Sequence, residues 1–436
     1  MTHNPFTFGN PIQDPARFYG RVPELRQITN RLLSSAHEST SIVGERRIGK
    51  TSLLLHLANR EVAAALGLAA DKFCLVYLDF QGLTDITPHR FWQRVLTKMA
   101  RGLSDETLTP LLTDLAKRTA FDLFDLEDVF EQIKTAGIVV VLLLDEFEYV
   151  TQNPNFKTDF FGGLRGLAIH SGLALVPATR RGLVDLCHSD ELKGSPFFNI
   201  FANVVLRPFN RGEASELLDG MLAQAQLDFT PAEKEFVLQM GGGYPFFTQM
   251  AGYYLVEGKA QGVGGDALFA RVGIELEQQG GAHYTYLWGH CSESEKITLL
   301  ATLTLGQQAP AKKTTPTLEN LTRVHARANL DLPALVKRGL VLESDAAYRL
   351  FSPSLARWLA REVLAAPGAE ESAKSVDEWI KTSGRGAVES LLAPVKTTLP
   401  RFKKQYWGTL GGMLKEFSHE VILKTMIELT LKSFAP

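Results

Sequence analysis

Gly44-Glu45-Arg46-Arg47-Ile48-Gly49-Lys50-Thr51 is the stretch that decides the fold of this 436-residue chain. It matches the pattern G-x-x-x-x-G-K-[ST], in which two glycines let the backbone curl so that several amides point at a phosphate. The residues before it, Thr40 to Val43, are typical of a strand, and a helical pattern begins at Lys50. Strand, glycine-rich turn and helix are the context that the pattern requires, so the sequence predicts a phosphate-binding loop, or P-loop.

Each part of the predicted loop has an expected role in binding a nucleoside triphosphate. The backbone from Gly44 to Ser52 surrounds the phosphates, and the dipole of the following helix favours their negative charge. Lys50 bridges the β- and γ-phosphates, and the hydroxyl of Thr51 ligates Mg²⁺. The alternative is a glycine-rich surface turn before a core helix.

The strongest strand signal in the chain ends in two carboxylates. Ile138 to Leu144 is an unbroken aliphatic run, which suits a strand buried on both faces, and Asp145 and Glu146 follow it. Because Mg²⁺ prefers oxygen ligands, we expect Asp145 to be a metal ligand together with Thr51. Glu146 is then placed to polarise the attacking water as a general base. The alternative is a strand end that is capped by acidic residues and faces solvent.

A further predicted strand, Leu173 to Ala178, ends in Thr179-Arg180-Arg181. A polar side chain at this point can orient water, and a guanidinium can neutralise charge on the γ-phosphate. We therefore predict catalytic roles for Thr179 and Arg180, and favour Arg180 over Arg181. The alternative is a pair of surface arginines at the start of a helix.

Composition limits the class of protein without selecting a function. Lys and Arg number 46 and Asp and Glu 48, a net charge of −2, so no overall basic excess indicates nucleic acid. The three cysteines have no paired spacing, which favours a reducing compartment, and we expect a cytoplasmic protein. The opening residues lack the pattern of a secretory signal. The longest aliphatic run, Ile138 to Leu144, is far shorter than the roughly 20 residues that span a bilayer, so no membrane span is expected.

The predicted elements divide the chain into four parts. Residues 1–208 alternate strands and helices, which predicts an α/β core with a parallel sheet between helical layers, an αβα sandwich. Residues 209–287 read as amphipathic helices and predict a helical lid. Residues 288–365 give three helices and a hairpin, the order of a winged helix, and residues 366–436 are a linker and a small helical C-terminal tail.

Several motifs in order resemble one class of P-loop ATPase. They are Phe18-Tyr19-Gly20-Arg21, the P-loop, LLLDEFE, ATRRGLVDL, SPFFNIF and Gly243-Tyr244-Pro245. Together they resemble the STAND class of AAA+-related P-loop NTPases, particularly its novel-STAND and archaeal-type ATPase branch, from Pro5 to Leu364. The resemblance implies ATP or ADP with Mg²⁺ as cofactors. It also implies that Tyr19 and Arg21 frame the adenine, that Pro245 closes over the base, and that the winged helix couples nucleotide state to domain arrangement. Pro245 alternatively only begins a lid helix.

Three functions remain open from the sequence. The leading one is a signalling ATPase with slow turnover that switches conformation with nucleotide state, its partner being a protein effector or a second copy of itself. The less favoured alternative is a DNA-binding ATPase, either a loader or a transcriptional regulator. Its winged helix would offer five residues to phosphates, Arg323, His325, Arg327, Lys337 and Arg338. The third is a nucleotide-dependent scaffold with negligible turnover. The tail from Val395 to Pro436 carries seven basic and three acidic residues, a net of 7 − 3 = +4. It is a candidate surface for an effector protein, and the alternative is that it packs against the protein's own winged helix.

Overall fold

The computed structural model describes residues 4–306 and 315–364, so the predicted C-terminal tail, 366–436, lies outside the described residues. The chain divides into two compact units. The first is Met1–Thr230 with Tyr244–Gln249, and the second is Pro231–Gly243 with Met250–Pro436. The predicted lid, 209–287, therefore contributes to both units.

The first unit is built on a sheet of five parallel strands. They are β1 (Thr40–Gly44), β2 (Phe73–Asp79), β3 (Val139–Asp145), β4 (Leu173–Thr179) and β5 (Ala202–Leu206). Their order across the sheet is β2-β3-β4-β1-β5, and every neighbouring pair is parallel. The predicted parallel sheet is thus confirmed. The edge strand β5 was not predicted, because its short sequence ANVVL has little apolar pattern of its own.

Ten helices of the described residues accompany this sheet. They are α1 (Val22–Leu32), α2 (Lys50–Ala58), α3 (Arg60–Ala65), α4 (Pro88–Gly102), α5 (Leu108–Lys117), α6 (Leu123–Thr135), α7 (Glu148–Thr151), α8 (Thr158–His170), α9 (Asp190–Lys193) and α10 (Arg211–Gln224). The helical pattern that starts at Lys50 is interrupted at Asn59. The side-chain oxygen of Asn59 accepts hydrogen bonds from the amides of Glu61 and Val62, which caps α3 and ends α2.

A core rich in aromatic residues fixes the end of the central strand β3. All seven residues of β3 are buried, and Leu142 and Leu144 lie in one apolar cluster with Phe91, Phe130 and Phe161. Each such side chain stabilises the fold by about 1.5–3 kcal/mol when it is removed from water. Asp145, at the end of β3, is consequently held by a strand that is buried along its whole length.

In its described residues, the second unit is helical apart from one hairpin. Its elements are α11 (Pro231–Gly241), α12 (Pro245–Ala260), α13 (Gly265–Gly289), α14 (Glu293–Gly306), α15 (Leu318–Val324), α16 (Ala328–Arg338), β6 (Val341–Ser344), β7 (Ala347–Leu350) and α17 (Pro353–Trp358). The first turn of α12 counts with the first unit. Strands β6 and β7 pair antiparallel. Among the described residues, no helix combines the length and the apolar character that crossing a bilayer requires.

Candidate nucleotide-binding site

The carboxyl ends of the parallel strands meet at one edge of the sheet, where open α/β sheets bind their ligands. Strand β1 ends at Gly44, β3 at Asp145 and β4 at Thr179. The register pairs Val43 with Thr179, and Asp79 with Asp145. The predicted P-loop and the predicted catalytic strand ends therefore share one edge.

A cavity of about 510 Å³ opens at this edge, a volume typical of small-molecule sites. From the predicted site it is lined by Tyr19, Arg21, Arg46, Arg47, Ile48, Gly49, Lys50, Thr51, Ser52, Asp145, Glu146 and Pro245. Thr179 and Arg180 are not among the lining residues, and neither are Gly44 and Glu45. The structure thus brings most of the predicted binding residues around one space, with Thr179 and Arg180 outside its wall.

Both glycines of the P-loop are required by geometry. A Cβ atom on Gly44 would lie 2.9 Å from Cγ2 of Ile48 and 3.1 Å from Cβ of Leu206. Gly49, the residue before α2, has a φ of 105°, which residues with a side chain rarely adopt. The loop can therefore take this curved path only with glycine at these two positions.

Lys50 is buried beneath the loop and faces it with its ammonium group. Its Nζ donates to the carbonyl oxygens of Gly44, at 2.9 Å, and Glu45, at 3.2 Å. Both acceptors are neutral. A phosphate in the cavity would offer charged oxygens, which accept stronger hydrogen bonds from an ammonium group. The ammonium group of Lys50 is thus held where the oxygens of a bound triphosphate would accept its hydrogen bonds.

Thr51 and Asp145 form the pair of oxygen ligands that a magnesium ion would use. The Thr51 hydroxyl hydrogen-bonds the Asp145 carboxylate, and Tyr77 donates to Asp145 Oδ2 at 3.1 Å. Burial raises the pKa of Asp145, while the Thr51 hydrogen bond and the charge of Lys50 oppose this. Within residues 4–306 and 315–364 no group of three His, Cys, Asp or Glu side chains could cage a metal. Two protein oxygens beside a phosphate site suit Mg²⁺, which keeps waters and phosphates as its other ligands.

Glu146 lies in the cavity wall in a strained backbone conformation. Its φ of 51° is left-handed, which costs a residue with a side chain roughly 1–2 kcal/mol, and such strain concentrates at functional sites. Burial and the neighbouring charge of Glu148 raise the pKa of Glu146 to about 7. A carboxyl group that titrates near neutral pH is suited to act as a general base.

Glu148 is a neighbour of the site that the sequence analysis did not single out. It is 5% exposed, and its Oε1 lies 3.8 Å from Nε of Arg180. Burial raises the pKa of Glu148, against hydrogen bonds and the charges of Lys50 and Arg180. The Thr179 hydroxyl donates to the carbonyl of Arg181 at 2.6 Å. The catalytic roles of Thr179 and Arg180 therefore stay predictions, and Glu148 lies within ion-pair distance of the arginine.

The pKa of Glu146 predicts how any hydrolytic activity depends on pH. A base works only when deprotonated, so kcat/KM, which reports the nucleotide-free protein, should fall as the pH falls through about 7. Replacing Glu148 by glutamine removes a negative charge that raises this pKa, so the acid limb of the profile of kcat/KM against pH should move to lower pH. Burial raises the pKa of Glu146 more than Glu148 does, and burial persists in the variant. The acid limb should therefore stay above the ordinary glutamate pKa of 4.5.

The control for this profile is Glu131→Gln, an exposed position on α6 that should leave the limb unchanged. A wild-type profile that is flat between about pH 5.5 and 8.5 would exclude Glu146 as the base.

Arg21 and Tyr19 tie the start of the chain to the P-loop and to α10. Arg21 is 3% exposed; its guanidinium donates to the carbonyl of Ile48 at 3.0 Å and pairs with Glu24 at 3.1 Å. The same group lies 4.5 Å from the ring centroid of Phe209, a cation–π distance. The Tyr19 ring packs where Gly220 of α10 has no side chain, and its hydroxyl accepts a hydrogen bond from Gln224 at 2.9 Å. Both residues therefore support the cavity wall as well as line it.

Replacing Arg21 by alanine should destabilise the first unit by about 2–4 kcal/mol. The change leaves the Ile48 carbonyl and the Glu24 carboxylate without their buried partner and removes packing against Phe209. Thermal unfolding measures the loss, and Arg26→Ala, at an exposed position of the same helix, is the matched control. Equal melting temperatures for the two variants would show that Arg21 does not hold the loop.

The segment Thr7–Gln13 also lines the cavity, although the sequence analysis gave it no role. Hydrogen bonds from its backbone and to its backbone hold it there. The Thr7 amide donates to Gln249 at 3.2 Å, the Ile12 amide to the Ser52 hydroxyl at 3.0 Å, and Arg47 to the Gly9 carbonyl at 3.0 Å. We call this segment the N-terminal strap. The only local signal for it is an aromatic pair, Phe6 and Phe8, in a stretch rich in Pro, Gly and Asn.

A serine, a histidine and an aspartate meet in the second unit, but not as a hydrolytic triad. Ser294 and Thr298 donate to Oδ2 of Asp331, at 2.6 and 2.8 Å. Nε2 of His325 lies 2.9 Å from the Ser294 hydroxyl and 3.4 Å from the same Asp331 oxygen. In a triad the aspartate and the serine bind opposite ring nitrogens. This cluster joins α14 to α16 and has a structural role.

Fold and site together define the class of protein. A parallel sheet whose strand β1 runs through a G-x-x-x-x-G-K-T loop into α2, with an acidic residue ending β3, is that of a P-loop NTPase of the AAA+-related group. The family described as "Novel STAND NTPase 2" matches residues 30–303, more than half of the chain. The chain belongs to this family, and the resemblance to the STAND class is confirmed.

Two solved structures are similar to this chain at low sequence identity. The Walker-type ATPase paby2304 of Pyrococcus abyssi is 17% identical, with a TM-score of 0.53 over 80% of this chain and 98% of that one. The ORC2 protein of Aeropyrum pernix, in ADPNP–ADP complexes, is also 17% identical, with a TM-score of 0.48 over 80% and 96% of the two chains. At such identities the first similarity shows the fold alone. A comparison with curated protein sequences found no match.

Proposed function

We propose that the protein binds and slowly hydrolyses ATP in the 510 Å³ cavity. The observation that carries this proposal is the cavity itself, which brings the Glu146 carboxyl group together with Lys50 and the pair Thr51 and Asp145. Thr51 and Asp145 would hold Mg²⁺, whose chemistry is to neutralise phosphate charge. Lys50 would bind the β- and γ-phosphates, and Glu146 would accept a proton from the attacking water.

We further propose that nucleotide state controls the conformation of the protein, as in a signalling switch. Three residues lining the cavity, Pro245, Phe246 and Gln249, lie in the first turns of α12. The rest of this continuous helix belongs to the second unit. A nucleotide that contacts the start of α12 thereby acts on an element that both units share. A switch requires that the two states differ in their affinity for the nucleotide.

Limited proteolysis with ADP and with a non-hydrolysable ATP analogue tests the switch. We expect two different digestion patterns and two elution volumes in size exclusion. Identical behaviour with both nucleotides, each at saturating concentration, would reject the switch and leave ATP binding itself untouched.

We infer that α14, α15, α16 and the β6–β7 hairpin form a winged helix, which follows in sequence a helical lid of α10 to α13. The pairing of its cations favours coupling within the protein over DNA binding. Three of the five predicted phosphate contacts are engaged with acidic groups of their own unit, as Arg323–Glu319, His325–Asp331 and Arg338–Glu295. A protein effector or a second copy of the chain remains the proposed partner.

A further inference from the structure

The outer face of α4 carries charge of one sign only. Its inner face is apolar and buried, through Phe91, Trp92, Val95, Leu96 and Met99. Its outer face carries four exposed cations at every third or fourth position, Arg90, Arg94, Lys98 and Arg101, which we call the α4 stripe. At 1.5 Å per residue the stripe is about 16 Å long. Pro88–Gly102 contains no acidic residue, so no carboxylate on α4 itself balances the charge.

The stripe lines a groove of about 340 Å³ on the surface of the unit. The groove is lined by Arg90, Gln93, Arg94, Thr97, Lys98, Arg101 and Ala116, and none of these is acidic. Gln93 closes one side by donating to the carbonyl of Ala116 at 3.2 Å. Partial burial and the charges of Arg94 and Arg101 lower the pKa of Lys98. An ordinary solvated helix face mixes both signs of charge at these spacings, because like charges repel each other.

We propose that the α4 stripe binds the phosphodiester backbone of a nucleic acid. Three of its four cations are arginine, whose planar fork matches a phosphate with two hydrogen bonds. About 16 Å spans roughly five phosphates at 3.4 Å per phosphate along a strand. Protein interfaces centre on buried aromatic and aliphatic anchors, and the groove offers only Ala116, so an acidic protein is the weaker fit. The binding is sequence-independent, since the groove holds cations and polar groups rather than an element that enters a base groove.

The stripe also adjoins the nucleotide cavity. Lys98 donates to the backbone carbonyl of Tyr77 at 2.8 Å, and the Tyr77 side chain lines that cavity and bonds Asp145. For this reason Lys98 is left in place in the variants below, and binding is measured without nucleotide, so the result does not depend on ATP hydrolysis.

The test is binding of a fluorescein-labelled DNA duplex of about 20 base pairs over a series of salt concentrations, with single-stranded DNA and RNA of equal length as further arms. The α4 variant combines Arg90→Gln, Arg94→Gln and Arg101→Gln. The control combines Arg323→Gln, Arg327→Gln and Lys337→Gln, which removes three exposed cations from the second unit. We expect the α4 variant to bind at least about tenfold more weakly near 0.1 M salt, with a salt slope smaller by roughly two to three. The control should stay within about twofold of wild type, and the three arms show which nucleic acid is preferred.

Several results would overturn the proposal. They are no binding by wild-type protein near 0.05 M salt, equal affinity of the α4 variant and wild type, or a loss confined to the second-unit control. Poly-glutamate that competes as well as DNA at equal charge would assign the groove to acidic proteins instead. Thermal unfolding checks that the variants are folded. If the triple variant is not, Arg94→Gln alone should weaken binding by roughly threefold, and an unchanged affinity in that variant would overturn the proposal equally.

Discussion

Replacing Lys50 by alanine is expected to weaken binding of MgATP by about 100-fold or more, close to 2.7 kcal/mol. The ammonium group is buried under the loop and already directed at its carbonyls, so it can reach a phosphate without reorganising the chain. Hydrogen bonds to charged groups contribute about 1.5–3 kcal/mol each, so losing this ammonium group removes a large share of phosphate binding. Isothermal titration calorimetry with ATP and Mg²⁺ measures the change.

The matched control is Lys117→Ala, an exposed lysine at the end of α5, which should bind as wild type does. Melting temperatures of both variants separate a binding defect from a folding defect. Wild-type affinity in a folded Lys50→Ala variant would mean that the nucleotide site lies elsewhere.

Replacing Glu146 by glutamine should lower kcat for ATP hydrolysis by about 10²- to 10⁴-fold and leave MgATP affinity within a few-fold of wild type. The amide has the same shape but cannot accept a proton. The substitution also removes one negative charge near Asp79, Asp145 and Glu148. Any effect of this loss on affinity should be to strengthen binding of the negatively charged triphosphate. Phosphate release under saturating ATP measures kcat.

Glu131→Gln, on the exposed side of α6, is the control and should hydrolyse ATP at the wild-type rate. Turnover by Glu146→Gln at more than about a tenth of that rate would show that another group activates the water.

The chemistry at the sheet edge was predictable because it is encoded over short distances in sequence. The P-loop occupies eight consecutive positions, and Asp145 and Glu146 directly follow an aliphatic run. Both motifs lie at strand ends, and parallel strands place those ends on one edge, so adjacency follows from the fold class alone. The register of Asp79 with Asp145 and of Val43 with Thr179 agrees with this expectation.

The parts that escaped prediction depend on contacts between distant positions. The N-terminal strap is held by a bond from Thr7 to Gln249, across 242 positions, and no periodic pattern encodes such a pair. In the sequence, Glu148 is only an acidic residue that follows β3. The structure shows that it lies beside Arg180. Arg21 was expected to face adenine, and the structure adds a buried hydrogen bond to the loop itself. Local spacing therefore located the chemical groups, and tertiary packing decided which side chains support them.

The identity of the nucleotide that stays bound to the protein tests most directly whether this cavity both binds and hydrolyses ATP. Wild type, Lys50→Ala and Glu146→Gln are each incubated with MgATP, passed through a desalting column, and the retained nucleotide is extracted and analysed by chromatography. We predict ADP on the wild type, ATP on Glu146→Gln and no nucleotide on Lys50→Ala. Retention of the same nucleotide by all three proteins, or of none by the wild type, would contradict the assignment of an ATPase site to this cavity.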